Sequence, residues 1–169
     1  GEESFGYMVG DFVRDKDAVT ATLLACEIAA IQKEKGSNIY AYLQNIYNEV
    51  GYYKEHLISV VKKGKKGAEE ISEIMKNLRS NPYLEISGSK VVRIEDYSKD
   101  EAYNVEEGIS EQLNIPLSNV LIYITADGSK IAARPSGTEP KIKFYISVNA
   151  EKEEMLQEKI EEIEELMNS

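Results

Sequence analysis

The chain has 169 residues, enough to bury one large core or two small ones. Hydrophobic residues make up 42%, which argues against a disordered chain. The net charge of −10 disfavours nonspecific binding to nucleic acid or to an anionic membrane, so we expect neither as a partner, and an anionic ligand would need a local basic site.

The cysteine content and the chain start bear on location. The one cysteine, Cys26, excludes an intrachain disulfide and suits a reducing compartment, so we expect a cytoplasmic protein. Its alanine-rich apolar surroundings indicate a small core residue rather than a catalytic thiol. We expect no signal peptide, and the sequence contains no apolar run of the roughly 20 residues that span a bilayer. The opening Gly1-Glu2-Glu3-Ser4, without an initiator methionine, suggests a fragment or a processed product.

The first part of the chain predicts two helices. Asp15 or Asp17 caps a helix that runs to about Lys35, and its middle is apolar on most sides, as in a buried helix. Ser37 can cap a second helix, which Gly51 ends.

The rest of the chain changes from helical to alternating periodicity. A short strand, residues 56–61, and a basic joint, residues 62–67, precede an amphipathic helix that ends at Asn81-Pro82. Asp127-Gly128 predicts a tight hairpin turn, because both residues tolerate positive φ. Further strands are predicted at residues 91–94, 120–125, 131–133 and 142–148, and a last helix from about residue 150.

These elements predict the fold class and the domains. We expect a helical part over residues 1–62, a linker and helix over residues 63–82, and an α+β domain over residues 83–169. In that last domain, helices cover a sheet.

The most informative segment lies between two predicted strands. It combines a guanidinium, two hydroxyls and a glycine within five positions: Arg134, Ser136, Gly137 and Thr138. Arginine offers forked donors that suit phosphate oxygens, hydroxyls and backbone N–H groups complete an anion nest, and glycine allows close approach of the backbone. Lys141 and Lys143 add positive charge. An ordinary polar loop between strands has the same composition, so the residues alone leave both interpretations open.

A second segment, residues 1–6, carries carboxylates and a hydroxyl on a glycine-flanked loop that could hydrogen-bond sugar hydroxyls. From the residues alone, a solvated acidic terminus is the favoured interpretation of this segment. Together the two segments resemble the α-D-phosphohexomutase (phosphoglucomutase/phosphomannomutase) family. Residues 2–6 are similar to the sugar-recognition loop of its third domain, residues 14–18 to a helix start of that domain, and residues 134–140 to the phosphate-binding loop of its fourth domain. The resemblance covers essentially the whole chain and is greatest to the long bacterial phosphoglucomutases.

The resemblance implies a C-terminal piece: the helical end of an α/β third domain, then a TATA-box-binding-protein-like fourth domain with an antiparallel sheet and helices. It implies interconversion of glucose 1-phosphate and glucose 6-phosphate through glucose 1,6-bisphosphate, with a phosphoserine in the first domain and Mg²⁺ in the second. The binding residues it implies are Glu2 and Ser4 for sugar hydroxyls, Arg134, Ser136, Gly137 and Thr138 for phosphate, and Lys16 as a further candidate substrate contact. Lys16 has the alternative role of a charge at a helix start.

Two family motifs do not occur in this sequence: the serine loop, of the Thr-Ala-Ser-His-Asn-Pro type, and the metal loop, of the Asp-x-Asp-x-Asp-Arg type. We therefore expect no catalytic residue and no metal ligand here, and no mutase activity of the chain alone. Its expected partners are the hexose phosphate and the missing N-terminal domains of the same enzyme. Alternatives are a piece of a phosphomannomutase or phosphopentomutase or, in another class, a non-catalytic sugar-phosphate-binding module.

Overall fold

The computed structural model describes residues 6–12, 15–62, 64 and 66–168. Its contacts divide the chain into two units, Gly1–Gly51 and Tyr52–Ser169. None of the described helices is long and apolar enough to cross a membrane.

The first unit contains the two predicted helices, α1 at Ala18–Glu34 and α2 at Ile39–Val50. Of the two candidate caps for α1, Asp17 is the one used, and its carboxylate accepts from the N–H groups of residues 19 and 20. The predicted cap of α2 was wrong by one residue. Asn38 caps this helix by accepting from the N–H of residue 41, since its side chain reaches one turn ahead.

The helix α1 is exposed within this chain, although its composition is typical of a buried helix. Gln32 is its only buried residue, whereas Val19 is 80% exposed and Leu23 is 68% exposed. Cys26, expected in a core, is exposed as well. The apolar side chains of α1 are therefore left uncovered by the described residues of their own unit.

The second unit is an antiparallel sheet with helices, which confirms the predicted α+β class. The strands are β1 Tyr52–Val61, β2 Glu85–Ile86, β3 Ser89–Asp96, β4 Glu101–Asn104, β5 Ile109–Gln112, β6 Leu121–Thr125, β7 Lys130–Pro135 and β8 Lys141–Ala150. The main path of the sheet runs in the order β1-β8-β7-β6-β3-β4-β5, with β2 paired to β3. The helices are α3 Gly67–Ser80 and α4 Glu153–Asn168.

Both helices of this unit pack on the sheet through apolar stripes at helical spacing. The buried members are Ile71, Met75 and Leu78 of α3, and Leu156, Ile160 and Ile163 of α4. Beneath them, β8 contributes alternate residues, Ile142, Phe144, Ile146 and Val148, to the same core. The hydroxyl of Tyr123 donates to the carbonyl of Leu78 at 2.7 Å, which ties the end of α3 to the central strand β6. Because side chains alternate along a strand, the odd-numbered side chains of β8 lie on the face of the sheet away from this core.

The predicted domain limits need two corrections. Tyr52–Val61, assigned to the helical first part, pairs along its whole length with β8 and belongs to the second unit. The predicted linker helix, α3, packs on that same sheet. The strands β4 and β5 were missed, and the turn between β6 and β7 has positive φ only at Gly128, not at Asp127.

Candidate phosphate-binding site

The segment singled out in the sequence connects β7 to β8 at one end of the sheet. Arg134 pairs with Lys143 and Pro135 with Ile142, so the two strands remain in register up to the loop. Because Ile142 and Phe144 point into the core, Lys143 and its neighbours at odd positions lie on the face that the helices do not cover. The side chains of Arg134 and Lys143, directly opposite each other, share that face.

Hydrogen bonds within the loop fix its backbone. The N–H of Ser136 donates to the carbonyl of Lys141 at 2.9 Å, and the N–H of Lys141 donates to the carbonyl of Glu139 at 2.8 Å. The Ser136 hydroxyl accepts from the N–H groups of Thr138, at 3.4 Å, and Glu139, at 3.3 Å. Ser136 therefore organises the turn that presents the other loop residues.

The loop and the two strands enclose a shallow cavity of about 320 Å³. All four residues assigned to phosphate binding line it, together with two lysines and an aromatic ring. The complete lining is Arg134, Pro135, Ser136, Gly137, Thr138, Lys141, Lys143 and Tyr145. A concave surface with a few convergent polar groups is the common form of a small-ligand site.

The cavity is electropositive in a chain whose net charge is −10. Three cations line it, and this lining of described residues contains no carboxylate. Among the described residues, the exposed guanidinium of Arg134 makes no hydrogen bond or ion pair, so its donors remain available to a ligand. The Lys143 ammonium lies 5.7 Å from the centroid of the Tyr145 ring, a cation–π contact that holds it along the strand.

Lys141 is the one cation of the cavity with an acidic partner among the described residues. Its Nζ forms an ion pair with Oε2 of Glu139. The hydrogen bond from Lys141, with the charges of Lys141 and Lys143, lowers the pKa of Glu139, so this carboxylate is ionised at neutral pH.

Gly137 is not required by the fold itself. A Cβ built on it would meet no heavy atom within 4 Å, and its φ lies outside the left-handed region. An exposed glycine without a conformational or packing role leaves its backbone open to close approach by a ligand.

A second cavity, of about 560 Å³, lies on the α3 side of the same loop. It shares Pro135 and Ser136 with the smaller one but none of the residues Arg134, Gly137 and Thr138. We place the candidate site in the smaller cavity because only there do the forked donors, the hydroxyl of Thr138 and the accessible backbone meet.

The other predicted contacts lie elsewhere. Lys16 belongs to the first unit, where it is exposed and its ammonium lies 3.1 Å from Asp15. Glu2 and Ser4 lie outside the described residues. Tyr145 was missed as a lining residue, and the strand alternation of β8, which places it two residues beyond Lys143, was the signal that could have found it.

No group of three or more histidine, cysteine or acidic side chains that could hold a metal ion occurs among the described residues. His56, which carries no motif, has its Nε2 3.8 Å from a carboxylate oxygen of Glu164. Neither observation identifies a second candidate site besides the β7–β8 loop in the described part of the chain.

Comparisons with known proteins place the chain by sequence. Residues 1–48 match the family described as phosphoglucomutase/phosphomannomutase, alpha/beta/alpha domain III. A phosphoglucomutase of Staphylococcus haemolyticus is 39% identical over 159 residues, which are 94% of this chain and 29% of that protein. These matches confirm the resemblance of the chain to the phosphoglucomutase/phosphomannomutase family. A phosphoglucomutase of Staphylococcus aureus is 44% identical over 147 residues, 87% of this chain and 26% of that protein.

The chain therefore spans less than a third of the length of these relatives. A solved structure supports the fold: the exocytosis-sensitive phosphoprotein parafusin, a phosphoglucomutase from Paramecium, in an open form. It aligns with 99% of this chain and 29% of its own, with a TM-score of 0.65 and 20% identity. The resemblance to the family rests on the sequence matches, and this structural match supports the fold alone.

Proposed function

We propose that the chain is the C-terminal part of a phosphoglucomutase and that the cavity at the β7–β8 loop binds the phosphate of a hexose phosphate. The longer protein would interconvert glucose 1-phosphate and glucose 6-phosphate through glucose 1,6-bisphosphate. The observation that carries the proposal is the electropositive cavity of about 320 Å³, lined by the residues assigned to phosphate binding from the sequence.

Each residue would have a distinct role toward the phosphate. The Arg134 guanidinium would donate two parallel hydrogen bonds to two phosphate oxygens. The Thr138 hydroxyl and the accessible backbone at Gly137 would supply further donors, while Ser136 holds the turn. Lys141 and Lys143 would balance the charge of a phosphate dianion.

Recognition of phosphate alone suits a bisphosphate intermediate. Either end of glucose 1,6-bisphosphate carries a phosphate, so the same cavity would accept the sugar in both of its orientations. Anchoring one phosphate restricts the freedom of the sugar and favours presentation of the other end to the groups that transfer the phosphoryl.

The remaining parts of the proposal concern residues and groups outside this cavity. Glu2 and Ser4 would bind sugar hydroxyls, and Lys16 would be a further contact with substrate. The phosphoserine and Mg²⁺ would belong to segments of the longer protein outside this chain, since the serine-loop and metal-loop motifs do not occur in this sequence. We accordingly expect no mutase turnover of the chain alone in a coupled assay with glucose 1-phosphate and Mg²⁺.

The test is a titration with inorganic phosphate and with glucose 6-phosphate, followed by two-dimensional amide NMR. Arg134→Ala should weaken binding by about tenfold to a hundredfold, because charge-assisted hydrogen bonds contribute about 1.5–3 kcal/mol each. Arg134→Lys should restore only part of it, since one ammonium cannot reproduce the fork. The matched control is Lys130→Ala, which removes one exposed positive charge from the start of the same strand.

Shift changes that cluster in residues 134–145 and depend on Arg134 support the proposal. Unchanged affinity in Arg134→Ala, or an equal loss in Lys130→Ala, would leave the loop as an ordinary turn between strands. Mannose 6-phosphate and ribose 5-phosphate, titrated in parallel, test the sugar preference. Mutase activity that purifies with the isolated chain would contradict the proposal that the catalytic groups lie outside it.

A further inference from the structure

The loop that forms the cavity also carries a negative charge that a phosphate site would not need. Glu139 follows Thr138 directly, and its carboxylate forms an ion pair with the Lys141 ammonium. The Glu139 side chain is 60% exposed and that of Lys141 28% exposed. The carboxylate thus neutralises a cation that lines the cavity.

Lys141 does not depend on this carboxylate for its position. Its N–H donates to the backbone carbonyl of Glu139, its own carbonyl accepts from the N–H of Ser136, and it is paired with Val61 across β1. These three backbone contacts therefore fix the position of the Lys141 backbone. The ion pair with Glu139 instead reduces the positive charge that Lys141 presents to a ligand.

We propose that Glu139 is a displaceable counter-ion, which pairs with Lys141 while the cavity is empty and must yield that ammonium when phosphate binds. This inference rests on the proposed function, because it concerns the affinity of the same cavity. A phosphate that reaches Lys141 gains one partner, but it also meets the repulsion of the adjacent carboxylate. Glu139 therefore lowers phosphate affinity and speeds phosphate release.

Weak binding has a use in the proposed reaction. The bisphosphate must leave the cavity by one end and return by the other, so a phosphate held too tightly would slow turnover. A carboxylate that takes back the lysine as the phosphate departs stabilises the empty state. Glu139 would then set the affinity of the cavity for phosphate, without direct contact to the reacting atoms.

The decisive variant is Glu139→Gln, which keeps the shape of the side chain and an oxygen acceptor but removes the charge. We expect inorganic phosphate to bind roughly threefold to tenfold more tightly at low ionic strength, since unit charges several ångströms apart interact appreciably only when salt screening is weak. The gain in affinity should shrink in about 0.5 M salt, where the Debye length falls to roughly 4 Å and the charge of Glu139 is screened from the phosphate.

Glu111→Gln is the matched control. The Glu111 side chain is 62% exposed and pairs with Arg93 at 2.6 Å, so both variants remove one charge from a similar ion pair. It lies on β5, four strands from β7, which corresponds to about 19 Å at the usual strand spacing. We expect no more than a marginal change in phosphate affinity there. Lys141→Met provides the second control, because Glu139→Gln should change affinity less in that background if the carboxylate acts through the lysine.

The outcomes separate this inference from the proposed function. If phosphate binds in an Arg134-dependent way but Glu139→Gln binds it no more tightly than wild type, the counter-ion role is refuted and the site stands. Tighter binding in both glutamine variants would show an effect of net charge only, which also refutes it. If no phosphate binds in the Arg134 cavity of the wild type, the proposed function itself fails.

Discussion

Two glycines at opposite ends of β7 should respond oppositely to alanine. Gly128, in the turn before the strand, has a φ of +84°, and a Cβ there would lie 2.9 Å from Nδ2 of Asn149. Gly137, in the loop after the strand, has neither constraint. The fold therefore requires glycine at position 128, whereas glycine at position 137 leaves the backbone accessible to a ligand.

The magnitudes follow from these surroundings. Gly128→Ala forces a left-handed residue to carry a side chain, which costs about 1–2 kcal/mol of the free energy of unfolding. Gly137→Ala should leave stability unchanged or raise it by up to about 1 kcal/mol, because alanine reduces the entropy of the unfolded chain. The same methyl group at position 137 should weaken phosphate binding by about tenfold, equivalent to about 1.4 kcal/mol.

The assay compares urea unfolding by circular dichroism with phosphate titration for both variants. Gly128→Ala, once folded, should bind phosphate as wild type does, because its turn lies at the far end of the strand. Destabilisation of Gly137→Ala by 1 kcal/mol or more would show that the loop itself needs glycine. Unchanged phosphate affinity in that variant would refute the close approach of a ligand to its backbone.

Two further predictions concern stability. The carboxylate of Asp127 is partly buried, which opposes its charge, but hydrogen bonds from Lys159, Thr125 and Ser129 outweigh this and lower its pKa. The ionised Asp127 carboxylate therefore stabilises the fold fully above its pKa in the unfolded chain, near 3.8, and this stabilisation is lost as the pH falls through the lower pKa of the folded state. Asp127→Asn should lower the free energy of unfolding, measured in urea at neutral pH, by about 1.5–3 kcal/mol. Second, amides of α1 should exchange with deuterium faster than those of β8, because α1 buries one residue and β8 buries alternate residues.

Each of these predictions has its own check. Glu158→Gln removes an exposed carboxylate next to Lys159 in sequence and should leave stability nearly unchanged at every pH. An equal cost for Asp127→Asn at pH 7 and pH 2 would contradict the role of ionised Asp127. Equal protection of α1 and β8 amides in a monomeric sample would contradict the second prediction.

The sequence predicted the second unit where periodicity was strong. The alternation of residues 142–148 predicted β8, and the apolar positions from Ile71 to Leu78 predicted α3. The strands β4 and β5 were missed because residues 101–112 are rich in acidic and amide side chains, which have low strand propensity. Hydrogen-bonded pairing of β4 with β3 and of β5 with β4 stabilises these strands despite that propensity. The composition of α1 is typical of a covered helix, but composition does not show whether the covering layer lies in the same chain.

The candidate site was predictable to the extent that it is local in sequence. Arg134, Gly137 and Thr138 lie within one loop, so a motif could find them together. Tyr145 lies outside the loop, and only the alternation of β8 indicates that it shares a face with Lys143. The ion pair of Glu139 with Lys141 was also outside sequence reasoning, because the side-chain direction of a loop residue depends on the turn geometry.

The central claim is tested most directly by a crystal structure of the chain with glucose 6-phosphate. The account predicts phosphate oxygens within about 3 Å of the Arg134 guanidinium and of donors in residues 136–138, with the Lys141 ammonium turned from Glu139 toward the phosphate. A phosphate bound in the cavity on the α3 side of the loop, or none bound at saturating concentration, would contradict it.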